Sequence, residues 1–499
     1  MKLAPSEIYK EFKAGNLEKQ SAINQLIAFI NNSDEVDLRI ISIEVLNKIG
    51  SKDDQIFHLI ENLLISDSHE EVRNSAIKAI QNNYIEKAFK PMKWALQHET
   101  SISCLINITT TLGKINNEKV KLYLIDKINS IDIFEFNKSL DPIKNREISK
   151  LTNENLSDIF KNYIVIKHFK ENFKDINFNI SNGLVTSLDL SGISTDVFGW
   201  KILRKLPEFI GALKYIKKLD LKINRIAKLP KSIGNLEFLE QLDMSNNNLK
   251  NLPESIGSLN SLEFLFLKYN HINQIPKSIG KLKKLKTLDL RHNNLKSLPD
   301  EICKLESLEF LDLHGNKLIN LPESIEGLKS LKRLELGLNR LIKLPDWIKN
   351  LHSLMVLGLG GNKIEIDFSI LSNLRTLEEL DLYDNNIKTL SEEIHSLSSL
   401  KKLILRNNKL TNLPESFKNL NSLQKLDLSW NNLTTLPNWI DSLSCLEELN
   451  LWGNNLKSLP SSLSNLTSLK ILNLNFNRFI RKIPESLKIL QEKGLKIYK

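Results

Sequence analysis

The chain has 499 residues, of which 41% are hydrophobic and 26% charged, and a formal net charge of +10. No stretch approaches the roughly 18 uncharged apolar residues of a membrane-spanning helix, and the charged N-terminal segment lacks the apolar run of a secretory signal. The three cysteines lie far apart in the sequence, at Cys104, Cys303 and Cys445. This spacing favours a reducing, cytoplasmic location over a disulfide-bonded secreted one.

The positive charge is concentrated in the C-terminal part of the chain. Residues 1–180 hold 24 basic and 25 acidic residues, so an excess of 11 positive charges lies in residues 181–499. An excess of this kind steers acidic partners towards a protein. The acidic residues interspersed throughout favour a simpler role in solubility.

Residues 1–130 predict a helical domain. Apolar residues recur with helical spacing in segments 21–30, 38–49, 72–80 and 102–115. Leu38 and Val72 open similar apolar stripes, and an arginine follows each of them directly. The segments DEVDLRIISIEVL (34–46) and HEEVRNSAIKAI (69–80) resemble HEAT-type helical repeats. The alternative is a plain helical bundle.

Residues 131–182 predict a connector and an N-terminal cap for the repeats that follow. Residues 131–155 lose the apolar spacing, residues 156–173 predict one more helix, and INFNI (176–180) alternates like a strand. A terminal repeat needs a covered outer face, which this segment would supply. Its residues 174–178 also fit a Lys-x-Ile-x-Phe pattern by which some phosphatase partners dock, although such short matches are common by chance.

The strongest pattern in the chain is an asparagine that recurs at one constant interval. It falls at Asn224, Asn247, Asn270, Asn293, Asn316, Asn339, Asn362, Asn385, Asn408, Asn431, Asn454 and Asn477. Each asparagine follows the same apolar frame, and the frame begins at residues 185–193, which gives thirteen repeats within residues 183–499. A unit of this length cannot bury a core alone, so its copies must stack into a solenoid.

One unit, residues 285–307, shows how each repeat is expected to fold. Leu288 and Leu290 alternate with polar residues, which predicts a short strand with one buried face. Asn293 turns the chain, and Pro299 fixes φ on the returning segment, where no sheet hydrogen bond is required. The expected fold is an α/β solenoid with a thirteen-strand parallel sheet on its concave side, preceded by the all-α domain.

The repeat frame LxxLxLxxNxLxxLPxxIGxL resembles that of leucine-rich repeat proteins. LPKSIGNL (229–236) and LPESIGSL (252–259) are similar to the intracellular Ras-scaffold and plant Ras-group-related classes. The resemblance covers residues 185–490 and implies a protein-binding solenoid, with a small GTPase or another signalling protein as one partner. Two adjacent units depart from the frame, at Asp367-Phe368 and at Leu390-Ser391, and predict altered local curvature.

The candidate binding residues are those on the exposed strand face. Exposed aromatic side chains usually mark an interface, and tyrosine, tryptophan and arginine are typical of its energetic centre. The sequence predicts a protein partner held on the concave face by Phe264, Phe266, Tyr269, Arg291, Phe310, Arg333, Tyr383, Arg406, Trp430 and Trp452. The aromatic residues form two groups, one at positions 264–310 and one that begins at Tyr383. Glycines between these groups, among them Gly358, Gly360 and Gly361, predict a low surface over which a partner's backbone passes. The alternative is that neighbouring side chains cover the aromatic rings.

Other function classes find little support in the sequence. It contains no phosphate-binding loop, no zinc-ligand pair and no catalytic triad, and we expect no enzyme activity and no cofactor. His271, His292 and His314 lie in successive repeats, but such histidines are usually solvated rather than metal ligands. The densest basic run, residues 277–286, lies away from the aromatic groups, which argues against nucleic acid or membrane as partner. The prediction is a non-catalytic scaffold or adaptor, with a regulatory subunit of a phosphatase or ubiquitin-ligase complex as the alternative.

Overall fold

A computed structural model describes residues 3–144, 147–173, 176–193, 203–364, 366, 368–480 and 482–499. These residues form two compact units: the first runs to Asp189 and includes Pro207–Lys218, and the second consists mainly of Leu219–Lys499. Two sequence features fall partly outside the described residues. They are the docking pattern, at its residues 174–175, and the irregular repeat, at Asp367.

The first unit is mainly helical, as the apolar spacing predicts. Its α-helices are α1 (Pro5–Lys13), α2 (Lys19–Asn32), α3 (Val36–Ile49), α4 (Asp54–Ser66), α5 (Glu70–Asn83), α6 (Phe89–His98), α7 (Ile102–Lys114), α8 (Glu118–Asn129), α9 (Phe134–Lys144) and α10 (Asn153–Asn172). A β-hairpin follows, formed by antiparallel strands β1 (Asn177–Ser181) and β2 (Leu184–Asp189). Helix α9 lies in the segment expected to be an irregular connector, so that expectation was wrong there.

The helices pack in layers that are joined by a repeated polar contact. Helices α3, α5, α7 and α10 contact one another in succession, and α2, α4 and α6 each pack against the next helix in the chain. Arg39 forms an ion pair with Asp67, and one layer later Arg73 binds both carboxylate oxygens of Glu99 at 2.8 Å. These pairs lie largely out of water, so they fix the register between adjacent layers.

Helix α10 and the β-hairpin form the end of the first unit. The side chain of Asn162 is fully buried and accepts a hydrogen bond from the backbone N–H of Val185 at 2.8 Å. The buried carboxylate of Asp158 contacts the ammonium groups of Lys161 at 2.7 Å and Lys214 at 2.6 Å. The predicted helix at 156–173 and the predicted strand at 176–180 are therefore both present.

The second unit is a stack of short strands in chain order. They are β3 (Lys218–Asp220), β4 (Gln241–Asp243), β5 (Phe264–Phe266), β6 (Thr287–Asp289), β7 (Phe310–Asp312), β8 (Arg333–Glu335), β9 (Val356–Gly358), β10 (Glu379–Asp381), β11 (Lys402–Ile404), β12 (Lys425–Asp427), β13 (Glu448–Asn450), β14 (Ile471–Asn473) and β15 (Lys496–Tyr498). Pairing is parallel, and each residue lies opposite its equivalent in the next repeat, as Phe264 does opposite Thr287. The frame leucines are buried, and a 3-10 turn on each returning segment starts after a proline in most repeats, as Glu254–Ser258 does after Pro253.

The last strand is one that the repeat count does not predict. Helix α11 (Glu485–Glu492) interrupts the frame, and β15 then pairs with β14 in parallel, with Ile471 opposite Lys496. The step along the chain from Ile471 to Lys496 is longer than the constant interval between the earlier strands. Strands β2–β14 are the thirteen that the repeats predict, and β15 adds a further strand at the C-terminal edge of the sheet.

The recurrent asparagines hold neighbouring repeats together. Asn316 donates from Nδ2 to the carbonyl oxygens of Leu290 at 3.0 Å and Leu313 at 2.9 Å, and its Oδ1 accepts from the N–H of Leu295 at 3.0 Å. All twelve asparagines of the series are buried, and this pattern recurs along it. A buried amide that satisfies three main-chain groups in two repeats explains why the period does not vary.

The residue before each asparagine has a left-handed backbone. Its φ is 58° at Ile223, 56° at Tyr269 and 54° at Trp430, and glycine or asparagine occupies the same position in several other repeats. Residues other than glycine, asparagine and aspartate rarely adopt this conformation, because Cβ then approaches the following carbonyl oxygen. The bulky residues at this position therefore adopt their backbone conformation at a cost in free energy.

None of the helices in the part of the chain that the structure describes is long and apolar enough to cross a membrane. The three cysteines are unpaired. Cys104 is fully buried, and burial raises the pKa of its thiol to about 12.

Candidate functional site

The candidate site lies on what we call the strand face: the side chains of β3–β14 that point away from the core, with those of the three residues after each strand. In β5, Leu265 is fully buried, while Phe264 and Phe266 on either side point outward and are half-buried. The alternation follows from the pleat of a strand. Parallel pairing then places equivalent residues of successive repeats side by side.

One part of this face forms a shallow groove of about 400 Å³, the first groove. Its described lining consists of Tyr269, Arg291, His292, Phe310, Asp312, His314, Arg333 and Glu335. Four of the predicted binding residues thus come together: Tyr269, Arg291, Phe310 and Arg333. Predicted aromatic residues and predicted arginines therefore lie together in this groove.

The aromatic wall of the first groove is ordered by stacking. The ring of Tyr269, half exposed, lies parallel to that of His292 with centroids 4.6 Å apart, and His292 meets the edge of His314 at 5.4 Å. Burial, together with the neighbouring His292 and Arg291, lowers the pKa of His314. His314 is therefore neutral at physiological pH. Gly315 leaves room for this stack, because a methyl group added there would overlap the His292 ring.

A charged network lies against that wall. Arg291 binds the Asp289 carboxylate through Nη2 at 2.7 Å and Nε at 3.0 Å, and its Nε is 3.1 Å from Oδ2 of Asp312. Burial raises the pKa of Asp312 to about 7 and also raises that of Glu335, although Arg333 contacts Glu335 at 2.8 Å. The carboxyl groups of Asp289, Asp312 and Glu335 are thus in contact with only two guanidinium groups, those of Arg291 and Arg333. A cationic group of a partner that enters the groove would balance the remaining negative charge.

A second groove, of about 640 Å³, lies further along the strand face. Its described lining consists of Tyr383, Asp384, Ile404, Arg406, Asn407, Asp427 and Trp430. It unites the predicted residues Tyr383, Arg406 and Trp430. The side chain of Trp430 is 44% exposed, and Asn407 donates to Asp384 at 2.6 Å.

An aromatic series extends the second groove. Ring centroids are 5.6 Å apart between Trp430 and Trp452, and 5.9 Å apart between Trp452 and Phe476. The indole N–H of Trp452 is buried and finds no acceptor among the described residues. The tryptophan pair therefore presents apolar area, mainly that of Trp430.

The predicted low glycine surface between the grooves is not open. A methyl group added at Gly360 would overlap the Tyr383 ring, and one added at Gly361 would overlap Leu338. The expectation that a partner's backbone passes over these glycines was therefore wrong. The glycines instead leave room for the side chains of neighbouring repeats to lie flat on the sheet.

The predicted residues Phe264 and Phe266 lie beside the first groove but are not among its described lining. Both are half-buried, and β6 pairs next to them with Thr287 and Asp289. Partial cover by neighbouring side chains, the alternative to a binding role, describes these two phenylalanines better than it describes Tyr269 or Trp430.

The sequence reasoning missed the backbone signal. The exposed large apolar residues of the strand face share the left-handed position before the asparagine: Ile223, Tyr269, Leu338, Trp430 and Phe476, with exposures of 42% to 65%. The same column holds glycine or asparagine elsewhere. Tyr269 and Trp430 were predicted for their aromatic rings, but the column they share, in which bulky residues replace glycine or asparagine, was visible in the sequence and was not singled out.

The histidines of the first groove are not arranged as a metal site. Within the described residues there is no group of three or more His, Cys, Asp and Glu side chains suited to hold a metal ion. Asp289 and Asp312, at the ends of the strands that precede His292 and His314, are bound by Arg291.

The repeat pattern, the parallel stack and the asparagine bonds define a leucine-rich repeat solenoid, and the chain belongs to that family. The family model for a leucine-rich repeat region matches residues 202–289, 256–335, 276–380 and 356–493, which together span more than half of the chain. A search of curated proteins found no match.

Solved structures place the chain among particular relatives. It is 34% identical to a leucine-rich repeat protein of Leptospira interrogans, with a TM-score of 0.56, and the match covers 63% of this chain and 90% of that one. An internalin of Listeria monocytogenes, 20% identical over 75% of this chain and 97% of its own, shares the fold with a TM-score of 0.55.

Proposed function

We propose that the chain is a non-catalytic scaffold that binds a protein partner on the strand face, with the first and second grooves as contact sites. The observation that carries this proposal is the pair of exposed aromatic side chains, Tyr269 and Trp430, at left-handed backbone positions, each in a groove. The leucine-rich repeat fold suits such a role, because a solenoid offers an extended surface rather than a deep pocket.

The energetics of that position favour a role outside folding. A left-handed conformation costs an ordinary residue about 1–2 kcal/mol, whereas glycine adopts it freely. An aromatic ring half exposed to water also forgoes part of its burial energy. Asn246 and Asn407 occupy the equivalent position in other repeats, so the solenoid does not require an aromatic residue there. A partner that covers the rings would recover the lost burial energy.

The charges of the grooves indicate the chemistry of the partner. In the first groove, the buried carboxyl groups favour a lysine or arginine side chain of the partner, which the rings of Tyr269 and Phe310 would flank. In the second groove, Arg406 is exposed beside Trp430 and favours a carboxylate. The partner's surface would then carry both charges beside apolar groups, as is typical of the centre of an interface.

The resemblance of the repeats to the Ras-scaffold and plant Ras-group-related classes favours a small GTPase or another cytoplasmic signalling protein as this partner. The helical unit, with its HEAT-like layers, would hold a second partner, and two binding units in one chain suit an adaptor. A regulatory subunit of a phosphatase or ubiquitin-ligase complex has the same organisation and is the second candidate. The identity of the captured proteins separates the two.

The test is affinity capture with the full chain followed by mass spectrometry. A Tyr269→Asn/Trp430→Asn variant removes both rings and inserts the residue that Asn246 and Asn407 already place at this position. Trp94, a 41% exposed tryptophan of the helical unit, supplies the control variant Trp94→Ala. We expect proteins captured by the wild type and the control to be lost with the double variant. Capture that the double variant leaves unchanged would rule out the strand-face site. Loading the extract with GDP or a GTP analogue tests the small-GTPase assignment.

A further inference from the structure

A cavity of about 930 Å³ opens on the returning side of the solenoid, in the two repeats before the irregular one and at Ile370 of the irregular repeat itself. Its described lining includes Ile319, Glu323, Glu326, Ile342, Asp346 and Trp347. The strand-face grooves share none of its lining residues. This returning-side cavity lies within the size range of sites that bind ligands or side chains.

The rim of the cavity carries two isoleucines that the repeat frame does not require. Ile319 is 58% exposed and Ile342 is 63% exposed, and they hold the same position in successive repeats. Other repeats place a polar residue there: Lys250, Asn273, Lys296, Lys388, Thr411, Thr434 and Lys457. Adjacent exposed apolar residues at a position that is otherwise mainly polar are typical of an interaction surface.

A second, independent observation comes from Trp347. This residue is largely buried, since only 7% of its surface is exposed, and it lines the cavity. Its indole N–H is buried and finds no acceptor among the described residues. A buried donor is rarely left without an acceptor, because the loss of its hydrogen bond to water is not compensated. A bound group with an oxygen acceptor would complete it once the indole turns its N–H from the buried position towards the cavity.

The charged residues of the rim indicate the sign of the occupant. The described lining contains the carboxylates of Glu323, Glu326 and Asp346 against the single ammonium of Lys343. Of the carboxylates, Glu326 also accepts a hydrogen bond from Asn350 at 3.0 Å. The excess negative charge favours a cationic partner and disfavours anionic lipid and nucleic acid, although the repeats as a whole are basic.

We propose that the returning-side cavity docks a segment of a protein partner that presents apolar side chains flanked by lysine or arginine. The apolar side chains contact Ile319 and Ile342, a carbonyl oxygen of the segment accepts from the Trp347 indole, and the basic residues face the acidic rim. This surface is separate from the strand face, so one chain would hold two partner segments on different sides of the same repeats.

The test uses the full chain and a fluorescein-labelled amphipathic peptide of leucine and lysine, with binding followed by fluorescence anisotropy. An Ile319→Thr/Ile342→Thr variant introduces the residue found at Thr411 and Thr434, without a change in charge. We expect it to bind the peptide about tenfold more weakly or worse, because two apolar contacts are lost. Trp347→Phe, which keeps an aromatic ring and removes the N–H, is expected to weaken binding several-fold.

Two controls separate this proposal from the strand-face site. The Tyr269→Asn/Trp430→Asn variant is expected to bind the peptide as the wild type does, and a peptide of leucine and glutamate is expected to bind at least about tenfold more weakly. Unchanged urea midpoints show that the variants fold. No binding by the wild type, full binding by the isoleucine variant, or equal binding of the acidic peptide would overturn the proposal. If only the Tyr269→Asn/Trp430→Asn variant loses peptide binding, the peptide binds the strand face, and the returning-side cavity is refuted as its site.

Discussion

Replacing Asn431 by alanine tests whether the recurrent asparagine holds the repeats together. Its Nδ2 donates to the carbonyl oxygens of Leu405 at 2.9 Å and Leu428 at 3.0 Å, and its Oδ1 accepts from the N–H of Leu410 at 3.0 Å. Asn431 is only 4% exposed, so water cannot readily replace the lost partners. Each bond contributes about 1 kcal/mol, and buried groups left unpaired add to the loss. We expect the free energy of unfolding to fall by about 3–4 kcal/mol.

The neighbouring Asn432 supplies a matched control, because its side chain is exposed. Its backbone N–H donates to the Leu410 carbonyl, and an alanine at this position keeps that hydrogen bond. Asn432→Ala should change the free energy of unfolding by less than about 0.5 kcal/mol. Urea titration followed by circular dichroism measures both variants. Hydrogen exchange of the Leu410 amide should quicken in Asn431→Ala alone. A loss below about 1 kcal/mol, or equal losses in the two variants, would refute the assignment of this role to the amide.

Three further predictions concern other parts of the chain. Because burial raises the pKa of Asp312 from 3.8 to about 7, the folded state binds a proton that the unfolded state has lost; stability therefore falls as pH rises through this interval. Asp312→Asn should remove the part of that loss that falls between about pH 5 and about pH 8, which is about 2–3 kcal/mol in urea titrations at the two pH values. Gly360→Ala should cost about 1–3 kcal/mol, and less in a Tyr383→Ala background, as a double-mutant cycle would measure. Glu99→Ala should destabilise the helical unit by about 3 kcal/mol, because Arg73 is left largely buried without its partner; an unchanged first unfolding transition would contradict this.

The solenoid could be predicted almost residue by residue because its determinants are local and repeated. Leu288 and Leu290 fix which face of β6 is buried, and Asn293 fixes where the turn falls, so a short window of sequence contains the information for each repeat. The first and second grooves were also partly predictable. Tyr269 and Trp430 depart from a frame that twelve copies define, and a departure is easy to see against such a background.

The features that were missed depend on contacts between repeats or on irregular segments. Residues 131–155 lack the regular apolar spacing, yet α9 forms among them with Pro142 inside the helix. Gly360 was taken for an open surface, because nothing in its own repeat shows that Tyr383, one repeat later, covers it. The cavity at Ile319 and Trp347 likewise forms only where successive repeats come together, since its lining extends to Ile370. Its one-dimensional signal, two isoleucines where other repeats mostly have polar residues, was present but was not singled out.

The hydrogen bonds of the asparagines have a direction along the chain. Asn454 belongs to one repeat but serves the Leu433 N–H and the Leu428 carbonyl of the repeat before it. Each turn is therefore completed by a residue of the next repeat, which is synthesised later. During synthesis from the N-terminus, the newest repeat on a ribosome always lacks its amide partner, and every repeat behind it already has one. Beyond Asn477 the main-chain bonding of the stack continues, because the N–H of Leu474 donates to the Tyr498 carbonyl of β15 at 2.7 Å, as equivalent leucines do in the earlier repeats.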